Sequence, residues 1–214
     1  MNCCHCEGAE VVFDRKGADK KLKKFRRKGA RRTTNVLVEA LKIQGVQGAS
    51  LLDIGGGIGA IQHQLLNMGV ERTTNLEASS GYIEACKEEA ERLGHGGRIT
   101  HMHGDFADMQ GVPSADIITM DRVICCYPDY EGLVNQACKK SKKLLGLVFP
   151  LDNWLVRLVL EVFLNLPLKL QGNPFRVFAH PTQAIEAIII GQGFERRFYK
   201  LVGTWQVIVY QRPD

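Results

Sequence analysis

Residues 50–60 read SLLDIGGGIGA. An apolar run, Leu51 to Ile54, enters four glycines at Gly55, Gly56, Gly57 and Gly59, and a helical pattern begins directly behind them. Glycines let a backbone take positive φ and approach a ligand with no Cβ in the way, and the following helix N-terminus offers unpaired N–H groups. Gly55, Gly57 and Ala60 also satisfy the dinucleotide pattern G-x-G-x-x-A, so the glycines alone do not choose the ligand. Three acids choose it. Asp53 lies in the strand two residues before the first glycine, where a phosphate would meet a carboxylate. Glu77 ends the next apparent strand, Thr73 to Leu76, at the distance where a ribose diol is held. Asp105, in His103-Gly104-Asp105-Phe106, closes the strand after that, Arg98 to Met102. Together they suit a cationic ligand bearing ribose and adenine without a phosphate.

The segment Leu51 to Ala60, with Glu77 and with Gly104-Asp105-Phe106, resembles the motifs of class I S-adenosylmethionine-dependent methyltransferases, from about Thr34 to the C-terminus. The resemblance implies an α/β fold: a Rossmann-like, mostly parallel seven-stranded sheet with helices on both faces, the last strand antiparallel and an N-terminal helical lid. It implies S-adenosyl-L-methionine as cofactor. The cofactor-binding positions are then Asp53, Gly55, Gly56, Gly57 and Gly59 at the methionine end, Glu77 with Ala78 at the ribose, and Asp105 with the backbone of Phe106 at the adenine. Asp121 falls at the C-terminal edge of the fourth strand, Ala115 to Met120, where open α/β sheets bind ligands, and is counted with them. The run MDRVICCYP followed by LVFP further resembles magnesium-protoporphyrin O-methyltransferases. It departs from them by one extra residue between Asp121 and Tyr127, by a cysteine for a histidine before that tyrosine, and by a cysteine-rich arm without counterpart.

The 214 residues, 45% of them hydrophobic, suit one domain with a full core. The reading divides the chain into a Cys-rich and basic arm or lid, 1–33, and a methyltransferase domain, 34–214, with an apolar lid insertion at 152–180. The formal charge of +5 is mostly local, because Arg15 to Arg32 holds eleven Lys or Arg against the single acid Asp19. One phenylalanine, Phe25, in that run does not make a nucleic-acid surface, which interleaves several stacking aromatics. A basic lid favours a carboxylate-bearing acceptor or an anionic lipid surface. Seven cysteines and a start, MNCCHCEGAE, without an apolar run behind charge point to free thiols in a reducing cytoplasm. No stretch of about 18 apolar residues spans a membrane.

Cys3 and Cys6 have C-x-x-C spacing, half of a zinc site, and no second pair of that kind follows. Cys3, Cys4 and Cys6 are read either as incidental thiols of a frayed terminus or as an arm that shares a metal or thiol-reactive ligand with Cys125 and Cys126. His95, His101 and His103 read as packing or hydrogen-bonding groups, and no metal is assigned. Thr33 and Thr34 are expected to cap a helix over Val36 to Leu41. Leu133 to Lys143 reads as a helix with a basic end, followed by a strand from Leu144 to Phe149. Trp154 to Leu170 reads as one helix, apolar around most of its circumference, with a polar stripe at Arg157, Glu161, Asn165 and Lys169 and a kink at Pro167. Such a helix is expected to be buried on several sides, by lid packing, a hydrophobic substrate, a dimer partner or an in-plane membrane contact. Methyl transfer needs a base only where the acceptor keeps its proton. Asp121, Tyr127 and His180 are the catalytic candidates, with the thiols Cys125 and Cys126 beside them. The partner is a small hydrophobic acceptor with a carboxylate or phenol. The alternative is a noncatalytic cofactor-binding module that recruits a protein.

Overall fold

A computed structural model describes residues 4–213, with side chains from residue 8 onward; Cys3 and the side chains of Cys4, His5 and Cys6 lie outside the described residues. The chain opens with three helices, α1 (Cys4–Val12), α2 (Arg15–Lys28) and α3 (Arg32–Ile43). It then runs through β1 (Ser50–Ile54), α4 (Ala60–Asn67), β2 (Arg72–Glu77), α5 (Ser80–Arg92), β3 (Ile99–His103), β4 (Ala115–Asp121), α6 (Tyr130–Lys140) and β5 (Ser141–Pro150). After these come α7 (Trp154–Leu160), a π-helical turn (Glu161–Asn165), α8 (Leu166–Leu170), α9 (Thr182–Gly191) and a hairpin, β6 (Glu195–Val202) and β7 (Trp205–Gln211).

Among the described residues seven strands form one sheet in the order β3-β2-β1-β4-β5-β7-β6. β1 to β5 pair in parallel, and β7 runs antiparallel to both of its neighbours. The central strands β4, β5 and β7 are mostly apolar because both of their faces are covered. Leu52, Ile54, Met120, Leu147 and Ile208 pack under α6 and α9, while Leu51, Ile117, Val148 and Val207 pack under α3 and α4. The strand order reverses between β1 and β4, and that reversal opens the crevice in which ligands of such sheets sit. Gly55, Gly57 and Gly59 at its floor take φ of 61°, 59° and 80°.

Two local expectations change. The helix over Leu133 to Lys143 ends at Lys140, because Ser141 already pairs with Ala115 and the Lys143 carbonyl accepts the Arg212 N–H at 2.8 Å. Thr33 and Thr34 do not cap α3: both lie inside its first turn, and their hydroxyls reach across to β4 and the residue after it. α2 starts at Arg15, with the Asp14 carboxylate accepting the Gly17 N–H at 2.7 Å as its cap. Part of the basic run is neutralised on α5: Arg15 pairs with Glu84 and Glu88, and Arg26 with the buried Glu89 at 2.7 Å. These acids of α5 thus form part of the docking surface of α2, whose Ala18 and Leu22 bury against Tyr82 and Ala85.

The Trp154 to Leu170 helix is built as read but placed differently. Proline has no N–H for an i to i−4 bond, and ahead of Pro167 the helix widens, the Leu166 N–H donating to the Glu161 carbonyl five residues back. The buried member of its polar stripe is Asn165, which donates to the Val177 carbonyl at 3.0 Å and accepts the Val177 N–H at 2.8 Å. Val156 and Leu160 are buried, but most of the apolar side chains face outward: Trp154 is 76% exposed, Phe163 70% and Leu170 79%.

Candidate active site

The strand register places Asp53 beside Asn75 on β2 and Thr119 on β4. The Asp53 carboxylate, 1% exposed, accepts from Thr119 Oγ1 at 2.6 Å and from Gln62 Nε2 of α4 at 3.0 Å, and burial pushes its pKa up to about 7. Gly56 lies directly over this group. A Cβ there would stand 2.4 Å from Asn75 Oδ1 and from Gln62 Nε2, so the loop closes only over glycine. At Gly55 a Cβ would meet Val123 Cγ2 at 2.5 Å. Gly57 has room, with Tyr82 3.6 Å away, but takes a left-handed φ. Its N–H donates to Glu77 Oε2 at 2.9 Å, and Ser79 N–H donates to Glu77 Oε1 at 3.0 Å. Burial raises the Glu77 pKa against these donors.

These residues line a cavity of about 720 Å³ together with Ala78, Asp105, Asp121, Tyr127, Cys125 and Cys126, within the range of small-molecule sites. Tyr127 donates its hydroxyl to Asp105 Oδ1, and Ala107 N–H donates to the same oxygen at 3.0 Å. Asp121 Oδ2 accepts from Thr34 at 2.5 Å, and Asp121 Oδ1 stands 4.0 Å from Arg122 Nη1. Three expected positions lie elsewhere. Gly59 is the left-handed cap of α4 and does not line the cavity. Phe106 puts its ring into the core and its carbonyl on Gln136. His180 is outside the cavity lining, its Nε2 bonded to the Tyr127 carbonyl at 2.8 Å and its ring stacked between Tyr130 and Phe178.

Two contributors escape sequence reading. Arg122 takes a φ of 65°, stacks on Trp205 at 4.5 Å and donates to Thr33 at 2.5 Å; nothing in its neighbours signals a left-handed arginine. Lys21 is hidden in a basic run, yet its ammonium sits 4.5 Å from the Tyr82 ring and 5.3 Å from Phe13, at the cavity wall. Burial, then the Arg31 charge, draws its pKa down to about 8.

The histidines separate. His103 bonds the Ala78 carbonyl, and His95 stacks on His63, with the two Nδ1 atoms 3.1 Å apart. Burial pushes the His63 pKa down to about 4. A histidine depressed in the folded state takes up its proton first when unfolded, so its neutral form loses stabilising value as pH falls through the unfolded pKa of 6.5 toward 4. Asp53, raised in the folded state, acts in the opposite sense over the same range. Comparing wild type with His63→Phe cancels Asp53: the variant should gain about 2 kcal/mol relative to wild type between pH 8 and pH 5 in urea denaturation. A pH-independent difference between the two proteins would refute the neutral buried ring.

The glycine turn over a buried acid, the Glu77 carboxylate and the crevice at the strand reversal come together at one cavity. The sequence model of a family described as O-methyltransferase domain matches residues 5–148, more than half of the chain. The chain belongs to that family. It is a methyltransferase dependent on S-adenosylmethionine, which sets aside the noncatalytic alternative. The enzyme shares its fold with the magnesium protoporphyrin IX methyltransferase of Synechocystis PCC 6803 crystallised with SAH, at TM-score 0.66 and 17% identity over 85% of this chain and 82% of that one. It also resembles an O-methyltransferase family protein of Burkholderia thailandensis, at TM-score 0.74 and 16% identity over 97% of this chain but 62% of that one. Mitomycin 7-O-methyltransferase matches at TM-score 0.59 and 20% identity over 83% of this chain, which spans 54% of that protein. No curated protein sequence matches. No helix among the described residues is long and apolar enough to cross a membrane.

The residues present fit this cofactor. Glu77 is held by backbone donors on one edge of each oxygen, as a diol acceptor must be, and Gly57 offers bare backbone to the cavity. Asp53 lies beneath Gly56 with its oxygens on Thr119 and Gln62, so it sets the glycine turn from below.

Proposed function

We propose that the methyltransferase acts on an oxygen of a large hydrophobic small molecule carrying a carboxylate or a phenol. The observation that carries this reading is the mixed lining of the cavity. Leu164, Phe175 and Val177 of the 152–180 insertion supply apolar surface, while Lys24, Lys28, Arg31 and Arg32 supply charge. Each CH₂ of an acceptor buried there contributes about 0.8 kcal/mol, whereas exposed cations chiefly steer its approach. The relatives named above for a porphyrin and for mitomycin are in keeping with it. We assign the arm through residue 33 and the insertion as two covers over the methyltransferase domain.

The cofactor supplies an activated methyl group, so the protein's part is alignment and exclusion of water, which can lower the barrier by roughly 7–11 kcal/mol. Within this reading Asp53, Gly55, Gly56, Gly57, Glu77, Ala78 and Asp105 hold the cofactor. Asp121 accepts the proton of a phenolic acceptor; for a carboxylate it has no proton to take. Tyr127 orders Asp105 through its hydroxyl, and His180 fixes the backbone of Tyr127, which makes both positioning residues. The exposed Trp154 to Leu170 face together with the basic α2 fits an anionic bilayer surface, from which an apolar acceptor would enter. A reducing cytoplasm suits the thiols.

A methyl-transfer screen of tetrapyrrole carboxylates, polycyclic phenols, quinone precursors and small polar amines tests this, with acceptors in solution and in anionic phospholipid vesicles. The hydrophobic acids and phenols should react. Leu164→Glu should raise their KM at least tenfold, and Leu158→Glu with Phe163→Glu should lose only vesicle-borne turnover. Exclusive methylation of a small hydrophilic amine would sink the reading.

A further inference from the structure

Consecutive cysteines ordinarily send their thiols to different sides of the chain, but Cys125 and Cys126 do not. The left-handed Arg122 turns the chain at the end of β4, and a 3₁₀ turn over Ile124–Cys126 follows, closed by Cys126 N–H on the Val123 carbonyl at 2.8 Å. Both sulfurs are thereby brought to one acceptor, the Arg122 carbonyl, at 3.6 Å and 3.5 Å, and lie 3.9 Å from each other. The turn is pinned from outside by Phe178 N–H on the Cys125 carbonyl at 2.7 Å. Both residues line the cavity, Cys125 buried and Cys126 half-buried. Cys86 and Cys138 are buried in other places, Cys86 beside Gln62 and Cys138 on the inner face of α6.

A closed zinc site takes about four ligands, and among the described residues no group of three metal-ligating side chains occurs. A disulfide would need the sulfurs to close to about 2.05 Å and an oxidant to take two electrons. Two thiols held at this spacing against an apolar wall suit a ligand that takes both through one atom and needs no change of oxidation state. Buried in this way the Cys125 thiol is held well above the usual thiol pKa, first by its contact with Cys126 and then by desolvation, so it meets such a ligand protonated.

We propose that Cys125 and Cys126 form a dithiol site that captures a trivalent arsenical of the type R–As(OH)₂, with R lying against Val123, Phe175 and Val177. Two As–O bonds break and two As–S bonds form. Each thiol proton leaves with a hydroxyl as water, and arsenic stays trivalent throughout. The site goes beyond O-methylation and does not depend on it. It gives the cavity a second, thiophilic ligand class beside the methyl donor.

Phenylarsine oxide is the probe, read by intact-protein mass spectrometry and peptide mapping on the full chain. One phenylarsenic adduct per chain should persist in excess 2-mercaptoethanol, map to the peptide holding residues 125 and 126, and be removed by 2,3-dimercaptopropanol. Cys125→Ser and Cys126→Ser should each weaken retention at least a hundredfold, whereas the triple variant Cys3→Ser, Cys4→Ser, Cys6→Ser should retain the adduct. Melting temperatures establish that the variants are folded; should Cys125→Ser fail to fold, the less buried Cys126→Ser carries the comparison. An adduct that maps to the arm, survives in Cys126→Ser, or is stripped by the monothiol overturns the proposal.

Discussion

Glu77→Ala is expected to weaken binding of S-adenosylhomocysteine by roughly 10- to 100-fold, the loss that follows from removing hydrogen bonds to a charged acceptor worth about 1.5–3 kcal/mol. The carboxylate has two tasks. One edge accepts the Gly57 and Ser79 N–H groups, which fixes the glycine turn relative to the end of β2. Its remaining lone pairs face the cavity, where a ribose diol would donate. Alanine removes the diol acceptor and leaves both N–H groups to find water. Glu77→Gln separates the tasks: it keeps one carbonyl acceptor but must point an NH₂ at either a backbone donor or the ribose, so it should also bind weakly. Titration calorimetry of both variants at pH 7.5, with NAD as control, is the measurement. NAD should bind neither variant nor wild type, because the family to which the chain belongs transfers methyl groups. Wild-type affinity in Glu77→Ala, or tight NAD binding, would overturn the cofactor geometry.

How much of this was legible depended on whether the chemistry lay inside one short motif. The glycine turn, its entering strand and the acids at 53, 77 and 105 are local signals, and the sheet brings them to one cavity. The reversed terminal strand followed from the family resemblance and is seen in β7. Asp53 was legible as an acid but not as a buried one, because its partners Thr119 and Gln62 lie on another strand and a helix and are aligned only by register. His180 was legible by position along the chain, yet its side chain turns onto the Tyr127 carbonyl, a direction that sequence spacing does not encode. The Trp154 to Leu170 helix shows the limit most plainly. Its amphipathic pattern was read correctly, but packing within the chain covers only Val156, Leu160 and the polar Asn165, which grips the Val177 backbone, and leaves most of the apolar face exposed. α1 and Lys21 were missed because a terminal cysteine-rich arm and a run of lysines carry no periodic signal for where they dock.

The contact that closes the cavity leads to the second large effect, a loss of about 3–5 kcal/mol of stability in Phe175→Ala, the usual range for truncating a buried phenylalanine. Phe175 is 2% exposed and meets Phe13 edge to face at 5.5 Å. Phe13 in turn meets Tyr82 at 6.1 Å, and Lys21 lies over both of those rings. Asn173, two residues earlier, donates to the Gly8 carbonyl at 3.2 Å. The arm and the insertion, 165 residues apart in sequence at that bond, thus meet through the Phe175 ring and the Asn173 amide. Removing the ring should open the cavity as well as destabilise the chain. At about 2–4 °C per kcal/mol for a protein of this size, the melting temperature should fall by roughly 10 °C, and protease cleavage within α1 should accelerate. Phe175→Leu, which keeps most of the volume, should lose far less. Gly8→Ala probes the same tie from the other side, since its Cβ would stand 2.5 Å from Asn173 Oδ1 and 2.8 Å from Phe175 N; it should release the arm to protease while leaving the sheet intact. A Phe175→Ala protein that melts within 2 °C of wild type and keeps α1 protected would show that the arm is not held by this ring.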